Sequence, residues 1–183
     1  MEIAIPLFDR MTALDAVGPY EVLWRLPGVE VRFVGQRVGP IQSIRPLKLA
    51  HETSKWTTSV CTGALVLGKA GVLQGKRATS HWVVRKGLVR FGATPVAERV
   101  VVDGKVITAA GVSAGIDMAL TLAALIAGED MAKAIQLAIE YDPKPPFHTG
   151  SLESAPPEIV QLSGQLSAFD LGLGPAPGAH PGG

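Results

Sequence analysis

The sequence has little cysteine, no asparagine and almost no net charge, and each shortage excludes a class of protein. One cysteine excludes an internal disulfide framework and a multi-cysteine zinc site. Without asparagine, N-glycosylation is impossible. Seventeen basic and 16 acidic residues leave a net charge of +1, which gives no electrostatic reason to expect nucleic acid or an anionic membrane as a partner.

The residues that are present describe a chain with a packed core. Of 183 residues, 47% are hydrophobic and 18% charged, which fits one globular domain. Glu2 and Pro6 interrupt the apolar N-terminus, which is typical of a first strand and not of a signal peptide, so we expect a cytoplasmic protein. The most apolar stretch, residues 111–128, contains Asp117, which favours a buried helix over a membrane span.

Strand patterns and helix patterns alternate along the chain. We predict strands over 2–8, 29–34, 56–60, 77–79, 100–102 and 106–108, and helices over 19–26, 63–70, 83–91, 114–127 and 131–141. The segment 35–50 is expected to form short extended pieces and turns. The alternation predicts one α/β domain with a mainly parallel sheet over residues 1–170, followed by a disordered Gly/Pro-rich tail over 171–183.

The junction Ser59-Val-Cys-Thr-Gly63 is the most informative feature of the sequence. Cys61 follows a predicted strand and precedes a predicted helix, so we expect it on a sharp turn at the ligand-binding edge of the sheet. The first amides of that helix favour a thiolate, so we expect a lowered pKa for Cys61. Gly63 is expected to allow a close backbone approach. The alternative of a small buried hydrophobe stays open for a lone cysteine.

Three further side chains are candidates for the same site. Asp15 lies in the predicted loop after the first strand, on the sheet edge that carries Cys61, where a carboxyl group could hydrogen-bond the sulfur or pass a proton. Glu21 lies close by, and His81 follows a strand and could act as a base. Structural alternatives stay open: solvated or capping acids for Asp15 and Glu21, and a structural histidine for His81. No spacing of histidine or carboxylate residues indicates a metal site.

Several blocks of the sequence resemble the ThiJ/PfpI superfamily. They are Ser59-Val-Cys-Thr-Gly-Ala-Leu-Val-Leu-Gly68, Gly75-Lys-Arg-Ala-Thr-Ser-His-Trp82 and Leu14-Asp-Ala-Val-Gly-Pro-Tyr-Glu-Val-Leu23. Three others are similar to the isonitrile hydratase branch in particular: Glu98-Arg-Val-Val101, Gly115-Ile-Asp-Met-Ala-Leu-Thr-Leu-Ala-Ala124 and Glu140-Tyr-Asp-Pro-Lys-Pro-Pro-Phe147. Together the blocks cover most of residues 1–160.

The resemblance implies a flavodoxin-like three-layer sandwich of the class I glutamine amidotransferase type, a homodimer, and a cofactor-free enzyme that hydrates isonitriles to N-substituted formamides. Cys61 would be the nucleophile, Asp15 the acid that protonates or orients, and Thr62 a group lining the site. Gly63, Glu21 and His81 are placed at the substrate pocket. Thr62 stands where protease-like relatives often carry histidine, which counts against a Cys–His protease and favours a structural role for His81.

One part of the family pattern is missing. The resemblance implies a strand ending in a Gly-Gly turn, then a helix, between the second strand and the Cys61 strand, a unit of about 30 residues. Here residues 47–56 run almost directly into the Cys61 strand. Three explanations stay open: a true deletion, a segment absent from the printed sequence, or another strand repacked into the gap. We expect poor activity from these 183 residues, since an anion-stabilising donor of this kind is worth about 3–4 kcal/mol in barrier height.

Two other functions stay open. One is a non-catalytic ligand-sensing or degenerate domain, like those fused to AraC-type regulators, although we expect no room for a helix-turn-helix region beside the Gly/Pro-rich tail. The other is a stress or redox sensor in which Cys61 is oxidised. Alkylation of the thiol against pH separates them, because a thiol that titrates below neutral favours the enzyme or the redox sensor.

Overall fold

The structure, a computed structural model, describes residues 1–7, 11–35 and 45–170. The strands are β1 (Glu2–Leu7), β2 (Glu30–Gly35), β3 (Thr57–Ser59), β4 (Arg77–Ala78), β5 (Thr94–Pro95), β6 (Val100–Asp103) and β7 (Val106–Ala109). The helices are α1 (Ala13–Leu23), α2 (Arg45–Thr53), α3 (Gly63–Lys69), α4 (Trp82–Arg85), α5 (Ala114–Ala127), α6 (Glu129–Ala138) and α7 (Pro157–Asp170), with a 3-10 helix over Lys86–Phe91. The predicted α/β class is confirmed.

The chain divides into two compact units, Met1–Tyr141 and Asp142–Gly183. The first contains every described strand and helices α1 to α6, and the described part of the second contains α7. The predicted tail over 171–183 and the last residue of the first predicted strand, Phe8, lie outside the described residues. Within the described ranges, no helix is long and apolar enough to cross a membrane.

The strands form three small sheets with mainly parallel pairing. β1 pairs in parallel with β2, β3 with β7, and β4 with β5, while β6 is antiparallel to β7. The β6–β7 turn contains Gly104 at φ 61°, and Asp103-Gly104 forms a hairpin between the strands that were predicted over 100–102 and 106–108. The register places Ser59 of β3 opposite Thr108 of β7, which fixes where β3 ends and the Cys61 turn begins.

The pairing is interrupted between two of these sheets. Among the described strands, β1 is hydrogen-bonded only to β2 and β3 only to β7, so no strand joins the β1–β2 pair to the β3–β7–β6 sheet. None of the six residues of β1 is buried, whereas all four residues of β7 are. This interruption agrees with the expectation, from the family resemblance, of a strand between the second strand and the Cys61 strand that is not found in the sequence.

The buried apolar side chains form two clusters. One surrounds α5 and brings together residues from α1, β7, α5 and α6, including Val22, Ile107, Met118, Leu122 and Ile135. The other lies around α3 and includes Leu67, Leu73, Leu88 and Val106. Because Ile107 and Val106 are neighbours in β7 and face opposite clusters, β7 is covered on both faces, as a parallel strand requires.

The predicted start of the first helix is wrong. α1 begins at Ala13, and Pro19 lies inside it, although proline has no amide to donate to the carbonyl of Asp15. Pro19 is buried, and its Cδ lies 3.4 Å from the position of a Cβ at Gly115, so contact with α5 offsets the lost hydrogen bond. Asp15 therefore lies in the first turn of α1 and not in a loop.

Two other helices were not expected from the sequence. α2 begins at Arg45, within the segment predicted as turns, and Pro46 lies in its first turn, where a missing amide costs no helical bond. Residues 36–44 of the same segment lie outside the described residues. α7 begins at Pro157 for the same reason, in a stretch where we predicted no helix.

Candidate active site

Cys61 lies on the turn between β3 and α3, as the sequence predicts. Its φ of 57° puts a non-glycine residue in the left-handed region, which costs on the order of 1–2 kcal/mol. Its amide donates to the carbonyl of Ala110 at 2.8 Å, and its own carbonyl accepts from Ser80 Oγ at 2.7 Å and from the amide of His81 at 3.4 Å. The strained turn is therefore held from two directions, by the end of β7 and by the residues after β4.

Asp15 reaches the same place from the first turn of α1. Close contacts between α1 and α5 fix this helix: a Cβ at Gly18 would lie 3.1 Å from Ile116 Cγ1. A Cβ at Gly115 would lie 3.2 Å from Val60 Cγ1, one residue before Cys61. Gly115 thus lets the start of α5 pack against the residue that precedes Cys61. These contacts tie the helix of Asp15 to the strand of Cys61 through the start of α5.

The Asp15 carboxyl group hydrogen-bonds the Cys61 thiol, and the pair sets the charge state of the site. The pKa of Cys61 is raised to about 11, chiefly by burial and then by the charge of Asp15. The backbone amide of Thr62 hydrogen-bonds the sulfur and acts in the opposite direction. The expected lowering of this pKa is wrong because Cys61 is only 6% exposed and faces an acid, while α3, seven residues long, has a weak dipole.

The pKa of Asp15 is also raised, and burial is again the main cause. Burial raises the pKa of its carboxyl group to about 6, although the hydrogen bond to Cys61 lowers it. At neutral pH the pair is therefore a thiol beside a carboxylate. One carboxylate oxygen, Oδ1, is buried and has no hydrogen-bond partner among the described residues. That oxygen is free to accept a proton or a hydrogen bond from a bound molecule.

Thr62 and Gly63 complete the turn in different ways. Thr62 caps α3 with its backbone in the helical region, and its side chain makes no capping hydrogen bond. Gly63 donates to the carbonyl of Val60 at 3.0 Å. A Cβ at Gly63 would lie 3.5 Å from the Cβ of Ser59, an ordinary contact. The close approach expected at Gly63 is found instead at Gly115.

The other two candidates do not contact the thiol through any described hydrogen bond or ion pair. His81 caps α4, its Nδ1 accepts from the amide of Val83 at 3.4 Å, and burial lowers the pKa of its ring. Its amide, not its ring, bonds the Cys61 carbonyl. The side chain of Glu21 is 48% exposed and pairs with Arg25 at 2.9 Å. The structure thus brings Asp15, Cys61 and Thr62 together and leaves Glu21 on the surface.

Two groups that build the site have no recognisable motif in the sequence. Ser80 is fully buried and hydrogen-bonds the Cys61 carbonyl, and the carbonyl of Ala110 accepts the Cys61 amide. Neither role has a motif, because both depend on which chain segments meet at the turn. Among the described residues, no group of three or more His, Cys, Asp or Glu side chains could hold a metal ion.

Comparison with known proteins gives a consistent result. A model of the DJ-1/PfpI family matches residues 44–125. The chain is 38% identical over 211 residues to the isonitrile hydratase of Pseudomonas putida, covering 94% of this chain and 92% of that protein. Because 94% of 183 residues is about 172, gaps in this chain total about 39 of the 211 aligned positions.

Solved structures agree with this result. A ThiJ/PfpI family protein from Pseudomonas syringae is 32% identical with a TM-score of 0.81, covering 94% of this chain and 88% of that one. The oxidised DJ-1 of Toxoplasma gondii has a TM-score of 0.65 at 19% identity, covering 78% of this chain and 99% of that one. At that identity the second likeness shows the fold alone. The predicted flavodoxin-like arrangement is confirmed by these neighbours.

Proposed function

The chain belongs to the DJ-1/PfpI family, and on that premise we propose that it hydrates isonitriles to N-substituted formamides, with Cys61 as nucleophile and Asp15 as the proton-transfer group. The observation that carries the proposal is the hydrogen-bonded pair of a buried thiol, on the turn after β3, and a half-buried carboxylate, in the first turn of α1. The 38% identity to an isonitrile hydratase selects the substrate class.

The charge state of the pair determines how the first step proceeds. With a pKa near 11, Cys61 is not a thiolate at rest, so it needs a base as it attacks. Asp15 is ionised at neutral pH and accepts the thiol proton while the sulfur bonds to the isonitrile carbon. Asp15 then delivers that proton to the same carbon. The product is a thioimidate, in which carbon carries one hydrogen and the sulfur of Cys61.

Water completes the reaction. The Asp15 carboxylate removes a proton from a water molecule as the water oxygen adds to the thioimidate carbon. Asp15 then gives that proton to the nitrogen, which leaves a tetrahedral carbon bearing OH, NH and sulfur. The carbon–sulfur bond then breaks, the hydroxyl group becomes the formyl carbonyl, and the sulfur recovers a proton. The sum is one isonitrile and one water giving one formamide. The unpartnered Oδ1 of Asp15 suits the water-activating role.

We expect turnover by this chain to be slow. Alignment gaps of about 39 positions relative to the hydratase mean that the chain lacks part of that enzyme, and no described strand pairs with the second edge of β1. Asp15 lies in the helix that follows β1, and because β1 is poorly covered, that helix is held mainly by its contacts with α5. A nucleophile and a base that are held about 1 Å from their best geometry can lose roughly 100-fold in rate.

The test is formamide production from a simple alkyl isonitrile by the wild type and three variants. Cys61→Ala and Asp15→Asn are expected to abolish turnover, whereas Asp130→Asn, which changes a fully exposed acid on α6, is expected to leave it unchanged. Turnover of the wild type is expected to rise with pH through about 6, as Asp15 ionises. Turnover that survives Cys61→Ala would exclude this mechanism.

A redox sensor is the weaker candidate for the same residues. Oxidation to a sulfenic acid proceeds through the thiolate, and the pKa of Cys61 is raised to about 11. Mass spectrometry after peroxide treatment separates the two functions. We expect Cys61 to stay reduced at peroxide levels that oxidise a free thiol, and ready oxidation without isonitrile turnover would favour the sensor.

The homodimer belongs to the same proposal, since the family resemblance implies it. Sedimentation velocity tests it directly, with a single species of twice the chain mass of 19.1 kDa as the expected result.

A further inference from the structure

The turn that carries Cys61 is strained and is held by few bonds. At φ 57° the residue is outside the regions that side chains ordinarily adopt. Its carbonyl is held by Ser80 Oγ at 2.7 Å and by the longer bond from the His81 amide at 3.4 Å. The Ser80 hydroxyl is therefore the shorter of the two bonds that fix the direction of the Cys61 carbonyl.

Ser80 is placed to serve this one contact. The residue is 0% exposed and directly precedes His81, so both donors come from the same two residues after β4. Its neighbour Thr79 is equally buried, but Thr79 Oγ1 has no hydrogen-bond partner among the described residues. Two adjacent hydroxyl groups thus have equal burial and different roles, since only that of Ser80 bonds the turn.

The direction of the Cys61 carbonyl and the direction of the Cys61 sulfur are linked. Relaxation of Cys61 toward an unstrained region would change its φ and ψ together, which would rotate both its carbonyl and its Cβ–Sγ bond relative to β3. The sulfur would then leave both the Asp15 carboxylate and the Thr62 amide that it contacts now. A hydrogen bond that prevents this rotation therefore keeps the Cys61 thiol in contact with the Asp15 carboxylate.

We propose that Ser80 is a positioning residue, which locks the Cys61 turn in its left-handed conformation and so keeps the sulfur against Asp15. The kinetic consequence rests on the proposed function, whereas the consequence for the thiol does not. Ser80 does not touch the reacting atoms, so its effect is on geometry. Loss of its hydroxyl is expected to lower kcat by about 10- to 100-fold, as for a small misplacement of reacting groups, with KM changed less than about twofold.

The experiment compares Ser80→Ala with Thr79→Val, which removes an unpartnered hydroxyl at nearly constant volume from the adjacent residue. Isonitrile turnover and the rate of Cys61 alkylation by iodoacetamide at pH 8 are measured for both. In Ser80→Ala we expect slower turnover and alkylation several-fold faster, because the sulfur leaves the carboxylate and the buried position that suppress its ionisation. Thr79→Val is expected to match the wild type in both assays.

A general loss of stability would also expose the buried thiol, so the comparison uses Ser80→Ala protein under conditions in which its thermal unfolding shows it to be fully folded. Unchanged alkylation in a folded Ser80→Ala protein would overturn the proposal, whatever happens to turnover. If no protein turns over isonitrile, faster alkylation in Ser80→Ala still supports the role of Ser80 and counts against the proposed function alone. Should Ser80→Ala not fold, Ser80→Thr decides: wild-type alkylation in a folded protein supports the proposal, and faster alkylation contradicts it.

Discussion

The β3–β7–β6 sheet and the β1–β2 pair each contain two strands paired in parallel. The middle strand of the first, β7, is buried, whereas β1 is not. Val106, Ile107, Thr108 and Ala109 of β7 are each at most 1% exposed. In β1 every residue keeps some exposure, and Leu7 is 39% exposed. β7 has a paired strand at each edge, whereas β1 has β2 alone among the described strands. Parallel strands are stable when both faces and both edges are covered, and only β7 meets that condition.

The candidate site joins these two regions. Cys61 follows β3, in the covered sheet, and Asp15 lies at the start of the helix that follows β1. The contact of thiol and carboxylate therefore depends on how well α1, the helix that follows β1, is held against α5. Gly18 and Gly115, which allow the close packing of α1 on α5, make that connection. A site of this kind has a well-fixed nucleophile and a less firmly fixed base.

Insertion of a segment between the β1–β2 pair and the β3–β7–β6 sheet is the most direct test of the difference between them. We would insert between β2 and β3 the residues of the Pseudomonas putida isonitrile hydratase that have no counterpart here. If the missing segment holds β1 and supplies a donor to the site, turnover should rise about 100- to 1,000-fold, and the amides of β1 should exchange with solvent more slowly. A Gly/Ser linker of equal length is the control. An equal rise with that linker would show that the segment does not act by strand pairing.

Two side-chain truncations, one in β7 and one in β1, measure how differently the two strands are buried. Ile107→Ala in β7 removes a side chain that is 0% exposed and should cost about 2–5 kcal/mol of unfolding free energy. Ile5→Ala in β1 removes a half-buried one and should cost about 1 kcal/mol, since less apolar area returns to water. Urea denaturation gives both values. Equal costs would show that β1 is as well packed as β7.

Removal of the Asp15 charge should stabilise the protein while it abolishes turnover. The pKa of Asp15 is raised from 3.8 to about 6, so the folded state binds a proton that the unfolded state has released over that range. The ionised group therefore destabilises the fold fully above pH 6 and not below 3.8. Asp15→Asn should raise Tm at pH 7.5 by about 2–4 °C, as expected for roughly 1 kcal/mol. The gain should shrink as pH falls toward 4, and a gain independent of pH would contradict this cause.

The smallest effect is expected where a polar network closes the first compact unit. Asp117 Oδ2 accepts from Tyr141 Oη at 3.0 Å and from Arg99 Nε at 2.8 Å. Tyr141→Phe removes one of these donors and should cost about 1 kcal/mol. Tyr20→Phe is the control on the exposed side, because the Tyr20 hydroxyl bonds no described residue while its ring contacts Phe33 at 5.0 Å. Thermal unfolding should separate the two variants.

The parts of the fold that the sequence predicts are those set by local chemistry. Asp103-Gly104 favours a hairpin, and the mainly apolar run over α5 favours a buried helix, and both are present. The Cys61 turn follows from a strand that runs into a short helix. The first helix was predicted to begin at Pro19, because proline is common at the start of helices. Here Pro19 lies inside α1, and its contact with Gly115 offsets the lost hydrogen bond.

The properties that the sequence does not predict depend on tertiary packing. The pKa of Cys61 moved opposite to expectation because burial and a facing acid outweigh the amide of Thr62. No pattern in the sequence shows how deeply a residue is covered or which acid faces it. The role of Ser80 was not predicted for the same reason. Nothing in the sequence indicates that a serine after a short strand donates to a carbonyl 19 positions earlier.

The unpaired edge of β1 has a consequence for how this protein behaves at high concentration. Its backbone donors and acceptors can add a strand from another molecule, as in aggregation that proceeds by strand addition. Pro6 removes one donor from the row, as in natural edge strands, but Ile3, Ala4 and Ile5 leave an uncharged run beside it. The yield of monodisperse protein at high concentration is therefore a sensitive report on whether that edge has found a partner.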